Sequence, residues 1–410
     1  MKTVLIISEY NPFHEGHKYQ LKDIRRTFGE DSSIIALMSG NYTQRGEMAV
    51  TDKFVRAECA VREGVNLVLH LPFPYSSSSA EFFATAGVEI ANALGVVDIL
   101  AFGSECGSID LLTKVAINMS SDTFISALNL AKDDEKNKEV GYPKLCEKVY
   151  NELFTDKIDT DFFTANNILA LEYIKALIKT KSSIKPYTTK RLGAQYNDDS
   201  ISENEFQSAS AIRNEFSKSI DSALHYIPDN SKSTIQNAIK NGVMPCDTER
   251  LSSAVLSFLR LNPAVTSDKI HDADGGLYNR LKAASFKATN ISTLTRLAST
   301  KKYTTARIKR VIWYSFFGVT SSDVRTPPRY TQVLAMDLKG RALLKKIKKT
   351  TAFPVITKPS STDGLDGVAL HQKQLSDNAD FIFELSKPLP SPAENALKAK
   401  PYVETKENLR

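Results

Sequence analysis

Residues 4–24 read VLIISEYNPFHEGHKYQLKDI, and this stretch decides how the chain begins to fold. The apolar run Val4–Ile7 predicts a buried strand, Asn11-Pro12 predicts a turn, and an amphipathic helix follows from His17. His14 and His17 therefore fall at the first turn of the helix, where backbone N–H groups lack intrahelical partners. Such helix ends attract anions through these donors and through the helix dipole. The stretch predicts a phosphate site.

The pattern His14-Glu15-Gly16-His17 suits a nucleoside triphosphate whose α-phosphorus is attacked. Gly16 allows a ligand to approach the backbone, and the two imidazoles can donate hydrogen bonds to phosphate oxygens. The alternative is a surface loop with incidental histidines. The position directly after the first strand, in a chain with only six histidines, favours nucleotide binding.

The first third of the chain alternates strand-like and helix-like segments. Strands are predicted at 4–8, 33–38, 65–71 and 97–102, and helices at 17–28, 53–63 and 81–94. This order is typical of an α/β fold with a Rossmann-like parallel sheet. The polar segments 8–17, 39–45 and 103–105 each follow a strand, so we expect them to converge on one crevice at the carboxyl ends of the strands.

Beyond Phe216 helical segments dominate, with candidate strands at Tyr330–Ala335 and Phe381–Leu385. We therefore expect two domains, because 410 residues exceed one ordinary core. The predicted division is a parallel-sheet nucleotide-binding domain over residues 1–225 and a mainly helical, basic domain over residues 226–410.

The composition is that of a globular protein, with 42% hydrophobic and 24% charged residues. No apolar run is long enough for a transmembrane helix, so we expect no membrane association. The four cysteines are scattered without a CxxC pair, which argues against disulfides and zinc ribbons and favours the cytoplasm. No cluster has metal-ligand spacing, so we expect no metal bound by the protein alone and a Mg²⁺ ion held mainly through phosphates.

Positive charge is concentrated in residues 286–350, where 15 Lys and Arg face 2 Asp and Glu. This local balance of +13 leaves the remainder of the chain at −7 and indicates a polyanionic partner. Aromatic residues are interleaved, and Trp313, Phe316 and Phe317 have the helical spacing of core residues. A solvated charged face is the alternative to RNA binding, for which the candidate cations are Lys301, Lys302, Arg307, Lys309 and Arg310.

A second predicted helix start, Gln207–Arg213, carries small hydroxyl residues that can surround phosphates. Ser208 and Ser210 fall at its first turn, and Arg213 one turn later offers a fork to the β- and γ-phosphates. Alone, this segment is better explained by an ordinary Ser-capped helix with a solvated arginine. Together with His14 and His17, it favours a triphosphate site.

Three further segments have open interpretations. The loop Ser39–Glu47 either closes over a nucleotide, with Arg45 on a phosphate, or is a plain turn. Lys53, at the start of the next helix, is a candidate phosphate contact. Glu105 is a candidate for orienting ribose hydroxyls.

These motifs resemble the HIGH-type nucleotidyltransferase superfamily. In order along the chain, EYNPFHEGH (9–17), MSGNYTQRGE (38–47), FGSE (102–105), NNILALEY (166–173), RLGAQY (191–196) and SASAIR (208–213) are similar to bacterial tRNA(Met) cytidine acetate ligases. The resemblance continues weakly through 333–344. It implies an enzyme that activates acetate with ATP and acetylates the 4-amino group of the wobble cytidine of elongator tRNA(Met).

The resemblance also implies residue roles. Gly103 would pack against the adenosine, and Arg191 and Asn166 would contact the nucleotide, with Asn167 as the alternative to Asn166. His14, His17 and Arg213 would carry the chemistry. The rest of the ATP site would come from the strand and loop Ile7, Ser8, Glu9, Tyr10, Asn11, Pro12, Phe13, His14, Glu15, Gly16, His17, Lys18, Tyr19 and Gln20.

Other functions compete with this hypothesis. A small-molecule adenylyltransferase of the coenzyme A or NAD type would share the histidine motif but would not need a long basic segment. An RNA-binding protein with a vestigial nucleotide site would not need the complete histidine pair with Arg213. An aminoacyl-tRNA synthetase relative would be expected to show a KMSKS-like loop.

Overall fold

The computed structural model describes residues 1–137, 140–159, 161–191, 207–261 and 269–405. The sequence also predicts a loop at 262–267; this segment and residues 192–196 of the RLGAQY motif lie outside these ranges. The strands are β1 Thr3–Ser8, β2 Ser33–Ser39, β3 Leu67–Leu71, β4 Ile99–Ser104, β5 Lys185–Lys190, β6 Thr331–Met336, β7 Val355–Ile356 and β8 Tyr402–Val403.

Helices surround the sheet and build the second half of the chain. In order they are α1 Glu15–Phe28, α2 Lys53–Arg62, α3 Ala80–Leu94, α4 Ile109–Met119, α5 Asp122–Asp133, α6 Tyr142–Leu153, α7 Ala165–Lys179, α8 Ala209–Phe216, α9 Ile220–Leu224, α10 Asp229–Lys240, α11 Ser252–Leu261, α12 Leu277–Ser285, α13 Ile291–Ala298, α14 Thr305–Phe317, α15 Ser321–Arg325, α16 Leu338–Thr350, α17 Gly367–Phe383 and α18 Glu394–Lys398. Helix α1 begins two residues earlier than the sequence predicts.

The sheet has the order β5-β4-β1-β2-β3-β6-β7, with β8 also paired to β6. Strands β1 to β5 pair parallel with one another. From β1 the chain adds β2 and β3 on one side and β4 and β5 on the other, so the order reverses between β1 and β4. This reversal defines the crevice in which open α/β sheets bind ligands. The Rossmann-like prediction is confirmed.

The second half of the chain completes this sheet. Strand β6 pairs antiparallel with β3, with Leu67 opposite Met336. The strand predicted at 330–335 is thus confirmed. The strand predicted at 381–385 is wrong, because these residues end α17 and continue as a 3-10 turn. Ala379 and Phe383 are both buried there at helical spacing.

Three large apolar clusters and one small one around Tyr330 form the interior of the described residues. Leu5 and Val4 mark the two faces of the sheet, each covered by its own helices. The third cluster lies among α11–α14, where Trp313 is buried and Phe316 and Phe317 pack against it, as their spacing predicts. Tyr42, Met48 and Phe73 from the first half belong to this third cluster. The boundary between residues 225 and 226 stays a prediction.

Candidate active site

Helix α1 begins with two histidines that cap it through their own side chains. His14 is the N-cap residue, and its Nδ1 accepts a hydrogen bond from the N–H of Gly16 at 3.1 Å. Nδ1 of His17 accepts one from the N–H of His14 at 3.2 Å. The ring centroids lie 3.8 Å apart. The pair thus fills the reciprocal positions that Ser and Glu occupy in the usual capping box.

Both imidazoles are neutral donors. Because each Nδ1 accepts a hydrogen bond, each ring keeps its proton on Nε2. Burial, followed by the charges of Arg191 and Arg213, lowers the pKa of His14 to about 3. Burial, His14 and Arg191 hold the pKa of His17 well below its usual value. The two Nε2–H groups are therefore fixed, uncharged donors, and the positive charge must come from other residues.

Gly16 has a structural reason that the sequence does not reveal. A Cβ atom at this position would lie 2.9 Å from Cε1 of His14. The absent side chain therefore leaves room for the His14 ring to fold over the first turn. This reason adds to the expected close approach of a ligand.

The histidines line a cleft at the carboxyl ends of the parallel strands. It has an empty volume of about 860 Å³ and opens to solvent. The predicted ATP-binding residues in its wall are Ile7, Ser8, Glu9, Tyr10, Asn11, His14, His17, Asn166, Arg191, Ser208, Ser210 and Arg213. A second cavity shares His14, His17 and Arg191 with the cleft, and Gly16, Tyr19, Gln20 and Gly103 also line it. The fold thus gathers predicted site residues from five separated parts of the chain.

Four residues of the predicted ATP segment line neither cavity: Pro12, Phe13, Glu15 and Lys18. Phe13 is buried against Tyr10, with ring centroids 4.8 Å apart. Lys18 forms an ion pair with Glu63 at 3.2 Å. In this structure Phe13 and Lys18 support the loop and helix instead of facing the cleft.

The choice between Asn166 and Asn167 is informed by their contacts. Oδ1 of Asn167 accepts from the N–H groups of Glu105 and Cys106, and its Nδ2 donates to the carbonyl of Phe162. Both polar atoms of the Asn167 side chain are therefore occupied within the protein. Asn166 Nδ2 donates to Glu105 Oε1 at 2.6 Å, but Asn166 lines the cleft. The carboxylate of Glu105 accepts from the backbone N–H groups of both asparagines, so it anchors the start of α7 and lines neither cavity. The ribose contact by Glu105 stays a prediction.

Arg213 is held at the cleft by three acceptors. It donates to the carbonyl of Asn11 at 2.8 Å, and to Ser210 Oγ and Glu47 Oε2 at 3.1 Å each. Glu47 Oε1 also accepts from Lys309 Nζ at 2.7 Å. Burial alone would raise the pKa of Glu47, but Arg213 and Lys309 outweigh it and lower the pKa below its usual value. Glu47 is thus an ionised carboxylate between two cations.

Residues 41–48, here called the 41–48 hairpin, connect the cleft to α14. The hairpin closes through the N–H of Thr43, which donates to the carbonyl of Glu47 at 2.9 Å. Its Gln44 N–H donates to the carboxylate of Glu9 at 2.8 Å, and burial raises the pKa of Glu9. On the other side, Trp313 Nε1 donates to the carbonyl of Gly46 at 3.0 Å.

The expected phosphate contact by Lys53 is wrong. Its side chain is 4% exposed and forms an ion pair with the buried Asp380 of α17. Asn41 donates to the other carboxylate oxygen of Asp380 at 2.9 Å. Lys53 therefore fixes the base of the 41–48 hairpin to the second half of the chain, through a partner that the sequence could not indicate.

Several cleft residues were missed by sequence reasoning. Phe83, Leu169 and Tyr173 form part of the wall on α3 and α7. In the sequence they have the same helical spacing as residues that face the sheet, so no signal separates them from core positions. Thr43, Gln44, Arg45 and Glu47 also line the cleft, which favours the functional interpretation of the loop after β2.

The five cations predicted to bind RNA lie on α14 and just before it. Lys301 and Lys302 are exposed. Arg307 and Arg310 are half-buried, and both pair with Asp272, Arg310 at 3.2 Å. Lys309 pairs with Glu47. Carboxylates thus offset part of the positive charge that the sequence suggests, and RNA contact by these residues stays a prediction.

No described helix combines the length and the hydrophobicity needed to cross a membrane. Within the described ranges, no group of three or more His, Cys, Asp or Glu side chains is arranged to hold a metal ion.

Comparison with known proteins identifies the family. The family model for HIGH nucleotidyl transferases matches residues 1–396. The tRNA(Met) cytidine acetate ligase of Clostridium perfringens is 36% identical over 375 residues, covering 88% of this chain and 90% of that protein. That of Caldanaerobacter subterraneus subsp. tengcongensis is 36% identical over 390 residues, covering 94% and 93%.

Two solved structures of a further relative have the same fold as this chain. Thermotoga maritima TmcAL in an apo form superposes with a TM-score of 0.89 at 30% identity, covering 98% of this chain and 99% of that one. The same protein bound with alpha-thio ATP gives a TM-score of 0.87 at 29% identity, covering 99% and 100%.

The fold and the histidine pair at the first βα turn define a HIGH-type nucleotidyl transferase. The relatives named above match nearly the whole chain, so they identify the family within this class. The chain belongs to the tRNA(Met) cytidine acetate ligase family.

Proposed function

We propose that this chain uses ATP to acetylate the 4-amino group of the wobble cytidine of elongator tRNA(Met). The observation that carries the proposal is the pair of neutral imidazoles at the start of α1, which share one cleft with Arg213. The names of the relatives supply tRNA(Met), cytidine and acetate, and one solved relative binds an ATP analogue.

In the first step a carboxylate oxygen of acetate attacks the α-phosphorus of ATP. The bond to the bridging oxygen breaks, and pyrophosphate leaves with the electron pair, giving acetyl-adenylate. The Nε2–H groups of His14 and His17 donate to the oxygens of the pentavalent phosphorus, whose charge rises in the transition state. Arg213, beside the Ser208 and Ser210 turn, neutralises the departing pyrophosphate.

Uncharged imidazoles suit this step. Donors that are already fixed by the capping hydrogen bonds need no reorganisation when charge develops. A neutral imidazole also avoids holding ATP so tightly in the ground state that the advantage in the transition state is lost. The positive charge is left to Arg213 and Arg191, at the edges of the histidine pair.

A Mg²⁺ ion fits the site through the phosphates. Glu9 and Glu47 are carboxylates in the cleft wall, but Glu9 accepts from Gln44 and Glu47 is paired with two cations. Neither is a dedicated metal ligand, so the ion would be held by phosphate oxygens and water. When bound, it supplies charge neutralisation on the triphosphate.

In the second step the exocyclic amine of cytidine attacks the carbonyl carbon of acetyl-adenylate. AMP leaves, and the amine loses a proton. This amine is a weak nucleophile, which explains the need for an activated acyl donor. The anticodon base must be unstacked to reach the cleft, while the cations of α14 and the segment before it bind the tRNA backbone. We place this activity in the cytoplasm, where tRNA and ATP are available.

Mass analysis of nucleosides from treated tRNA tests the proposal. The enzyme, ATP and isotopically labelled acetate are incubated with elongator tRNA(Met) and with a matched transcript that carries uridine at the wobble position. We expect one labelled acetylcytidine in the first tRNA, none in the second, and none without ATP. Transfer of AMP to a small phosphate acceptor, with tRNA unmodified, would instead support the adenylyltransferase alternative.

A further inference from the structure

Lys309 has a contact that its position on the basic helix α14 does not suggest. Its ammonium group lies 2.7 Å from Glu47 Oε1, while Arg213 occupies Glu47 Oε2 at 3.1 Å. Glu47 lines the ATP cleft. Lys309, a cation of the predicted RNA-binding surface, is therefore linked through Glu47 to Arg213, the arginine proposed to contact the triphosphate.

The backbone around Lys309 is fixed against the hairpin. Gly46 has a φ of +72°, and a Cβ atom there would lie 2.4 Å from the backbone N of Arg310. Trp313, one turn further along α14, donates to the carbonyl of Gly46. The contacts of Gly46 with Arg310 and Trp313, just after Lys309, hold the Lys309 side chain in reach of Glu47.

We propose that Lys309 is a positioning residue of the ATP site, which acts by holding Glu47 so that Arg213 remains available to the triphosphate. This inference rests on the proposed function in one respect, namely that the cleft binds ATP. It moves Lys309 from the group of tRNA contacts to the adenylation machinery.

The charges of the three side chains explain why Lys309 is needed beside Glu47 and Arg213. Alone with Glu47, Arg213 would form a closed ion pair at the cleft wall, and an incoming triphosphate would have to compete with that carboxylate. With Lys309 present, Glu47 keeps a second cation when Arg213 turns towards phosphate. Both Lys309 and Glu47 are about 30% exposed, so water screens the interaction only in part.

Calorimetric titration with alpha-thio ATP, without tRNA, measures the effect directly. We expect Lys309→Ala to weaken binding about tenfold, which corresponds to one paired charge in a partly screened site. Lys309→Arg keeps the charge and should stay within about threefold of wild type. The matched control is Lys345→Ala, which removes an exposed lysine of α16. The first turn of α16 contacts Asn66, near the amino end of β3 and far from the cleft.

A double variant separates positioning from a general structural role. In Glu47→Gln the carboxylate charge that Lys309 compensates is gone, so adding Lys309→Ala should change alpha-thio ATP binding by less than about threefold. Equal affinity of Lys309→Ala and wild type, or a full tenfold loss in the Glu47→Gln background, would overturn the inference. Failure of the wild-type protein to bind the analogue at all would instead overturn the proposed function.

Discussion

The ATP cleft and the basic helix α14 are both predicted to meet phosphates, but the structure prepares them differently. In the cleft, His14 is buried and His17 is half-buried, and both are neutral and fixed by hydrogen bonds from backbone N–H groups. On α14, Arg307 and Arg310 are charged, partly exposed and paired with Asp272, while Lys309 pairs with Glu47 of the cleft. Catalytic groups are thus fixed in advance, whereas surface cations keep a carboxylate partner that a ligand must replace.

This difference indicates what each region does. Fixed neutral donors discriminate between a ground state and a transition state whose charge is developing, which is the requirement for chemistry. Exposed cations supply affinity that depends on salt, which is the requirement for binding a long polyanion. The 41–48 hairpin lies between the two regions and contacts both through Glu47 and Gly46.

The largest effect is expected from the loss of a fixed donor in the cleft. His14→Ala should lower the rate of acetate-dependent AMP formation by about 10²–10³-fold, the usual loss for a donor to a developing charge. His14→Asn retains an N-cap side chain and so should recover stability but not activity. tRNA binding should stay within about twofold in both variants. Recovery of activity in His14→Asn would show that the histidine matters only as a cap.

Gly46→Ala tests the hairpin itself. The new Cβ atom meets the backbone of α14 and also sits at a positive φ, so we expect a loss of roughly 3 kcal/mol in the free energy of unfolding. Gly318→Ala is the matched control, because Gly318 has a φ of +69° with nothing within 4 Å. It should lose only about 1 kcal/mol. Equal losses in denaturant unfolding would mean that the close approach to α14 has no energetic weight.

A smaller effect is expected on the surface side. The double variant Lys301→Ala/Lys302→Ala should weaken tRNA binding several-fold and reduce the slope of log affinity against log salt concentration by about 0.7–0.9 for each lost phosphate contact. Binding isotherms at three salt concentrations measure this slope. An unchanged slope would return the basic segment to the alternative of a solvated face.

The smallest effect concerns pH. In the folded chain the pKa of His14 is about 3, whereas its ordinary value is 6.5. Below pH 6.5 an unfolded chain binds a proton that the folded chain refuses, so stability is lost as pH falls from about 6.5 towards about 3. The fall in melting temperature between pH 7 and pH 5 should be smaller by about two degrees in His14→Asn than in wild type. The exposed His225 changed to Asn, the matched control, should show the wild-type fall.

Local patterns predicted the parts of the structure that depend on neighbours in sequence. The order of β1–β4, the helix after His14 and the burial of Trp313 all follow from spacing and from turn residues. The convergence of residues 8–17 and 39–45 on one cleft also followed, because polar segments at strand ends share one edge of a parallel sheet.

The failures involve partners far away in the chain. Lys53 was expected at a phosphate, but Asp380 lies 327 positions later. The sequence predicts that Lys309 contacts RNA, but in the structure Lys309 pairs with Glu47, 262 positions earlier. At 381–385, an apolar run of strand length belonged to a helix that began many residues earlier. The spacing of residues in the sequence does not reveal tertiary ion pairs. It also does not decide whether a short apolar run forms a strand or the end of a helix.

The antiparallel strand β6 has a consequence for biosynthesis. The apolar edge of β3 gains its partner only from the second half of the chain; His70 and Thr331, joined by a hydrogen bond, are 261 positions apart. During translation the nascent protein must carry an unpaired hydrophobic strand edge for most of its synthesis, and such edges invite aggregation. A fragment that stops at residue 225 keeps this edge permanently. Residues 1–225 are therefore not expected to form a soluble protein on their own, because β6 from the second half of the chain covers the edge of β3.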